Sequence, residues 1–146
     1  MRPLSRGKST RLAVTIVLNL AVGACGSGSA STATTAPTPV TTSETFSGTV
    51  AQKGTAGNPF AVSAAGQVSI GLTSVAPLAT MAVGVGIGTW DGTTCGTSIS
   101  KNDNARAGAT ALSGTATAGN YCVLIYDSGN IPESWTVSYV VTVAHP

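Results

Sequence analysis

The sequence predicts an all-β protein, an antiparallel sandwich of about eight short strands. Apolar residues recur at every second position through most of residues 44–146, and turns rich in Gly, Asn and Asp interrupt them at short intervals. Nowhere in that stretch do apolar residues return at helical spacing with caps. Alternation is the mark of strands with one buried face, and many short strands divided by turns pack as a sandwich.

The elements follow in order. Residues 45–51 and 59–63 are the first two expected strands. "QVSIGL" then places Val68, Ile70 and Leu72 on one face, and "MAVGVGI" places Met81, Val83, Val85 and Ile87 on one face with Gly84 and Gly86 on the other. Residues 98–101 and 110–116 are shorter candidates. "NYCVLIY" offers Tyr121, Val123 and Ile125. The last run, "WTVSYVVTV", sets Trp135, Val137, Tyr139, Val141 and Val143 in one phase, so all five are expected in the core. The turns between them are "GTAGNP", "AAGQ", "DGTTCG", "KNDNARAG", "TAGN" and "DSGNIPE". A domain of this size buries something over 60 per cent of its unfolded surface, enough for one core.

What precedes the domain is of another kind. Arg2, Arg6, Lys8 and Arg11 stand before an apolar run over residues 12–24, broken only by Thr15 and Asn19. A bilayer-spanning helix needs about 20 apolar residues, and this run is shorter. A basic start, a short apolar middle and small residues at the end describe an export signal. Its removal takes four of the seven basic residues. Lys53, Lys101 and Arg106 remain against Glu44, Asp91, Asp103, Asp127 and Glu133, so the net charge moves from +2 to −2. Binding to nucleic acid or to anionic lipid by charge needs clustered Lys and Arg, and no cluster remains.

Export to an oxidising compartment favours disulfides, yet the chain has three cysteines. The stretch Val22-Gly23-Ala24-Cys25-Gly26 resembles the lipobox of bacterial lipoproteins, with an aliphatic residue, two small ones, and a cysteine that is acylated as the new N-terminus. The resemblance implies a lipid on Cys25 and tethering to the membrane at the bacterial cell envelope. The alternative is ordinary signal cleavage and a secreted protein. Lipidation also resolves the odd count, because Cys95 and Cys122 are left to pair. Their bridge would close a loop of about 28 residues, which chain entropy values at roughly 3.5 kcal/mol. Residues 25–43 then form an uncharged Ser/Thr/Pro/Ala tether, too poor in apolar residues to fold, with a mean reach of roughly 20–25 Å.

Over most of residues 44–146 the domain resembles the bacterial pre-peptidase C-terminal domain. Gly119, Tyr121, Val123, Ile125 and Tyr126 match the first strand of that family's final hairpin, and Tyr139, Val141 and Val143 match the second. The resemblance implies a jelly-roll-like sandwich of the sort appended to secreted hydrolases, some members of which bind matrix polymers or calcium. No hydrolase precedes the domain within these residues, so an accessory role would serve a separately encoded enzyme.

Catalytic machinery is not expected. His145 is the only histidine and stands beside the last residue, where chain ends fray. There is no nucleophile–base constellation, and the glycines of "GVGIG" lack the spacing of a dinucleotide loop; they read as a strand with a bare outer face. Two binding features remain. In "TWDGTTC", Trp90 could stack on a sugar ring while Asp91 accepts its hydroxyls, or the pair could simply close the sandwich and turn the chain. In "KNDNARAG", Asn102, Asp103 and Asn104 could contribute to a calcium site completed by Asp91 or Asp127, or could form a plain turn. The expected function is therefore a non-catalytic envelope lipoprotein presenting a sandwich that binds polysaccharide or another envelope protein. The alternatives are a purely structural surface component or the accessory factor.

Overall fold

A computed structural model describes residues 40–146. The expected signal segment, Cys25 and most of the tether lie outside the described residues. The described chain forms eight strands: β1 Thr42–Ala51, β2 Thr55–Val62, β3 Gly66–Ala76, β4 Val83–Trp90, β5 Cys95–Ala105, β6 Ala109–Ala116, β7 Gly119–Tyr126 and β8 Thr136–His145. No helix occurs among the described residues.

All pairings are antiparallel, and they build two four-stranded sheets in the orders β1-β8-β3-β6 and β2-β7-β4-β5. Successive strands mostly cross between the sheets, which is the jelly-roll arrangement of an eight-stranded sandwich. β7 and β8 therefore face each other from opposite sheets and do not form the terminal hairpin that the motif suggests.

The alternation sets the layers. Val68, Ile70 and Leu72 of β3, Val83 and Val85 of β4, Val123 and Ile125 of β7, and Val137, Tyr139, Val141 and Val143 of β8 are buried between the sheets. Tyr139 reaches across that core, where its hydroxyl accepts a hydrogen bond from Asn58 Nδ2 at 3.1 Å. The phase breaks at Trp135, which is 40% exposed and precedes the first residue of β8. Its N–H bonds Pro132 O within a turn, so the strand's alternation does not reach it. Ile131, from the same loop, enters the core instead.

The other terminal expectation also changes. His145 does not fray: it is 3% exposed, with Nε2 2.9 Å from Glu44 Oε1, Nδ1 3.2 Å from Pro146 O, and its ring against Phe60. It closes the last rung between β1 and β8.

Most strands extend past their expected bounds, some of them into stretches read as turns. β2 begins at Thr55, inside "GTAGNP". It is an edge strand, where Pro59 costs no ladder hydrogen bond. β5 runs through Asn102, Asp103 and Asn104 to Ala105, also on an edge, with register shifts along its pairing to β4. β7 starts at Gly119, within "TAGN".

Candidate functional site

The sequence places small residues along two inner or outer strand faces, and the structure uses them in opposite ways. On the outer face of the second sheet, Gly84, Gly86 and Gly88 of β4 form a trough that is filled. Tyr126 of β7 lies over Gly84 and donates its hydroxyl to Asp103 Oδ1 on β5, spanning the intervening strand. Ser98 Oγ lies over Gly86. Cys95 and Cys122 are disulfide-bonded with Cα atoms 5.8 Å apart, and the chain at Gly96 passes over Gly88. The trough is thus not bare. β5 is strapped across β4 to β7 at two levels, one covalent and one hydrogen-bonded.

These straps assign the polar residues. Asp103 also pairs with Lys101 at 3.2 Å, and its carboxyl is held below the usual carboxylate range by the Tyr126 hydroxyl and then by Lys101. Burial and the neighbouring carboxylate push the Tyr126 phenol up to about 12. Asn102 donates to Ala111 O at 2.9 Å, tying β5 to β6, and its Oδ1 accepts from the Asn104 amide at 2.9 Å. The three are therefore strand residues, with Asn102 bonded to β6 and to the Asn104 amide and Asp103 bonded to β7, rather than a loop of convergent oxygens.

Asp91 is held equally firmly. Its Oδ1 accepts from the Thr93 and Thr94 amides at 2.8 and 2.7 Å and from Thr93 Oγ1 at 3.0 Å, and its Oδ2 accepts from Thr94 Oγ1 at 2.7 Å. The Thr94 bonds, then those of Thr93, hold its carboxyl well below the usual range. Gly92, at φ +103°, supplies the left-handed residue of this turn. Trp90 beside it is half-buried at the end of β4. Asp127 does the same for the β7–β8 loop, accepting from the amides of Lys53, Gly129, Asn130 and Ile131. Burial alone would raise its carboxyl, but those four amides outweigh it and the net shift is downward.

The three depressed carboxyls set an acid limit. Each contributes stability in full above its ordinary value near pH 4 and loses it as the pH falls through the lower folded value. Melting curves recorded from pH 7 to 2 should show the midpoint dropping below about pH 4. An Asp91→Asn/Asp127→Asn variant should show a flatter acid limb.

On the inner side the small residues leave space. β6 pairs with β3 so that Leu112, Gly114 and Ala116 stand opposite Ile70, Val68 and Gly66. Directly opposed residues share a face, and Val68 and Ile70 are core residues, so Gly114 and Ala116 lie on the core-facing side of the strand, with Gly114 itself exposed. A Cβ on Gly114 would meet nothing within 4 Å. The result is a cleft of about 310 Å³ between the edge strands β5 and β6, floored by Val68, Ile70, Ile87 and Tyr121 and flanked by Ile99 and by residues 112–117. Ile99 is 63% exposed at the opening. Tyr121 is fixed by stacking on Phe60 and by donating its hydroxyl to Thr117 O at 3.1 Å. No charged residue lines the cleft. A volume at the lower end of the ligand-pocket range, apolar walls and a rim of hydroxyls suit a slender uncharged guest.

None of these lining residues was singled out by sequence for binding. Ile99 is the one available signal, an isoleucine alone in the polar stretch "TSISK". Among the described residues no three His, Cys, Asp or Glu side chains come together as a metal-binding group. No protein-family model and no curated protein matches the chain.

Proposed function

We propose that this chain is a non-catalytic binding module of the bacterial envelope, exported by residues 1–24 and lipid-anchored through Cys25. Its ligand is an uncharged apolar group held in the β5–β6 cleft. The observation that supports this reading is Gly114. Glycine inside a strand costs about 0.5–1 kcal/mol against alanine, and here it also leaves core-facing space open beside Val68. Natural folds often leave positions unfilled; what singles out Gly114 is that the space beside it is walled by Val68, Ile70, Ile87 and Tyr121. The anchoring half of the proposal rests on the lipobox resemblance. Kinship with the pre-peptidase C-terminal domain belongs to the same proposal and rests on the motif residues of β7 and β8.

A non-catalytic role is supported by His145, whose ring nitrogens are both occupied in a buried setting. The cleft is preferred to Trp90 and Asp91 as the site because both Asp91 oxygens already accept hydrogen bonds within their own turn.

The test is a titration of the protein with 1-decanol, followed by methyl NMR. Ile87, Ile99 and Leu112 methyls should shift together and saturate, and Gly114→Val should abolish the response. Saturating shifts elsewhere, or an unaltered response in Gly114→Val, would overturn the cleft as the site. A polysaccharide ligand makes a different forecast: retention on insoluble glycans that Trp90→Ala abolishes.

A further inference from the structure

We propose that β6 accepts an extended segment of a partner protein as an added strand, with that segment's alternate apolar side chains seated in the cleft. The inference rests on the cleft being a ligand site and names its occupant.

Among the described residues the only ladder partner of β6 is β3; Asn102 takes Ala111 O on the other edge, and from Leu112 to Ala116 that edge has no strand beside it. In an antiparallel ladder every second residue turns its N–H and C=O away from the partner, leaving a template for another strand. Sandwiches usually guard such edges with proline, charge or bulges. Three of the four edges here are guarded: β2 holds Pro59, β5 holds Lys101, Asp103 and several register shifts, and β1 holds Glu44. β6 reads "ATALSGTA", with no charge and no proline; its one bulge falls at Ala111, and its pairing from Leu112 to Ala116 is regular.

The cleft lies along this unguarded edge. Its wall includes every residue from 112 to 117, core-facing and outward-facing alike. The opening therefore follows the strand's backbone as well as its inner face. An added strand would place side chains on two faces in turn, and one of those sets would point between the sheets over Gly114 and Ala116. Backbone bonds would supply affinity and the cleft would choose the side chains.

Charge sets the chemistry of the segment. With no charged group on the cleft wall or on β6, a seated Lys, Arg, Asp or Glu would lose its hydration without a partner. The seated positions are therefore uncharged and apolar. A second copy of this chain fits less well. Pairing through its own β6, it would offer Gly114 and Ala116 to the cleft, and these fill little of it.

The test uses six capped octapeptides in which Thr alternates with Ala, Val, Leu, Ile, Met or Phe, each ended by Lys, with 1-decanol as a parallel probe. At least one peptide should bind and shift the Ile99 and Leu112 methyls. At tenfold excess over its Kd, the outward amides of residues 112–117 should exchange about tenfold more slowly. N-methylation of the peptide at every second residue should abolish binding in one phase and spare it in the other. Binding of decanol with no peptide bound would overturn strand addition while leaving the cleft as a ligand site. Equal binding of both N-methylated forms would overturn it too, since the backbone would then play no part. Failure of both probes would remove the proposal and the reading beneath it. Concentration-dependent dimers in sedimentation, lost in Gly114→Val, would assign the edge to a second copy and overturn the partner segment.

Discussion

Removing the Cys95–Cys122 bridge, by reductant or by a Cys95→Ala/Cys122→Ala variant, lowers stability by roughly 3.5 kcal/mol. For a domain of this size that is a drop of roughly 15 °C or more in melting midpoint. Most of the loss comes from loop closure in the unfolded chain, but the folded chain contributes as well. Cys122 is fully buried on the outer face of the second sheet, and the bridge holds the start of β5 over Gly88. Once it is gone, the β5 segment near Cys95 is free to lift while β1, β8 and β3 stay paired. Calorimetry with and without reductant measures the total, and hydrogen exchange should show the loosening concentrated at the start of β5. A drop equivalent to less than about 1 kcal/mol would contradict the strap, since even a shorter loop than this is worth more.

The second large effect is expected at Gly84. A side chain there would enter the Tyr126 ring, so Gly84→Val should cost about 3 kcal/mol through overpacking. The damage is specific to one neighbour. Adding Tyr126→Ser should return about 1 kcal/mol or more, because residues in contact couple by that order. Chemical denaturation of the two single variants and the double variant measures the coupling. Simple additivity would mean that the ring does not lie over β4.

The contrast between Gly84 and Gly114 shows what could be read from sequence and what could not. Strand positions with a strict apolar phase were legible: Val68, Ile70 and Leu72 mark β3, and Val137 to Val143 mark β8, because a buried face needs continuous alternation. Edge strands were legible only in part. β2 hides behind Gly57, Asn58 and Pro59, residues that read as a turn but are tolerated where one side of the strand has no partner. β5 hides behind Asn102 to Asn104 for the same reason. Their polarity suggested a ligand loop, yet Asn102 and Asp103 are spent on neighbouring strands and the Asn104 amide on Asn102. Trp135 shows the reverse error, an alternation extended one residue beyond the strand that generated it. The cleft was not legible at all. Glycine in a strand carries the same letter whether a neighbour's ring covers it, as at Gly84, or nothing does, as at Gly114. Only the pairing of β6 with β3 and the open cleft beside it separate the two cases.

The proposed site requires the space beside Gly114 to be open, and the unfolding midpoint of Gly114→Val measures that directly. Valine suits a strand and would cover part of Val68, so stability should rise by about 1 kcal/mol. A fall of about 1 kcal/mol or more would mean that the sheets already close there, and that the cleft cannot receive a guest.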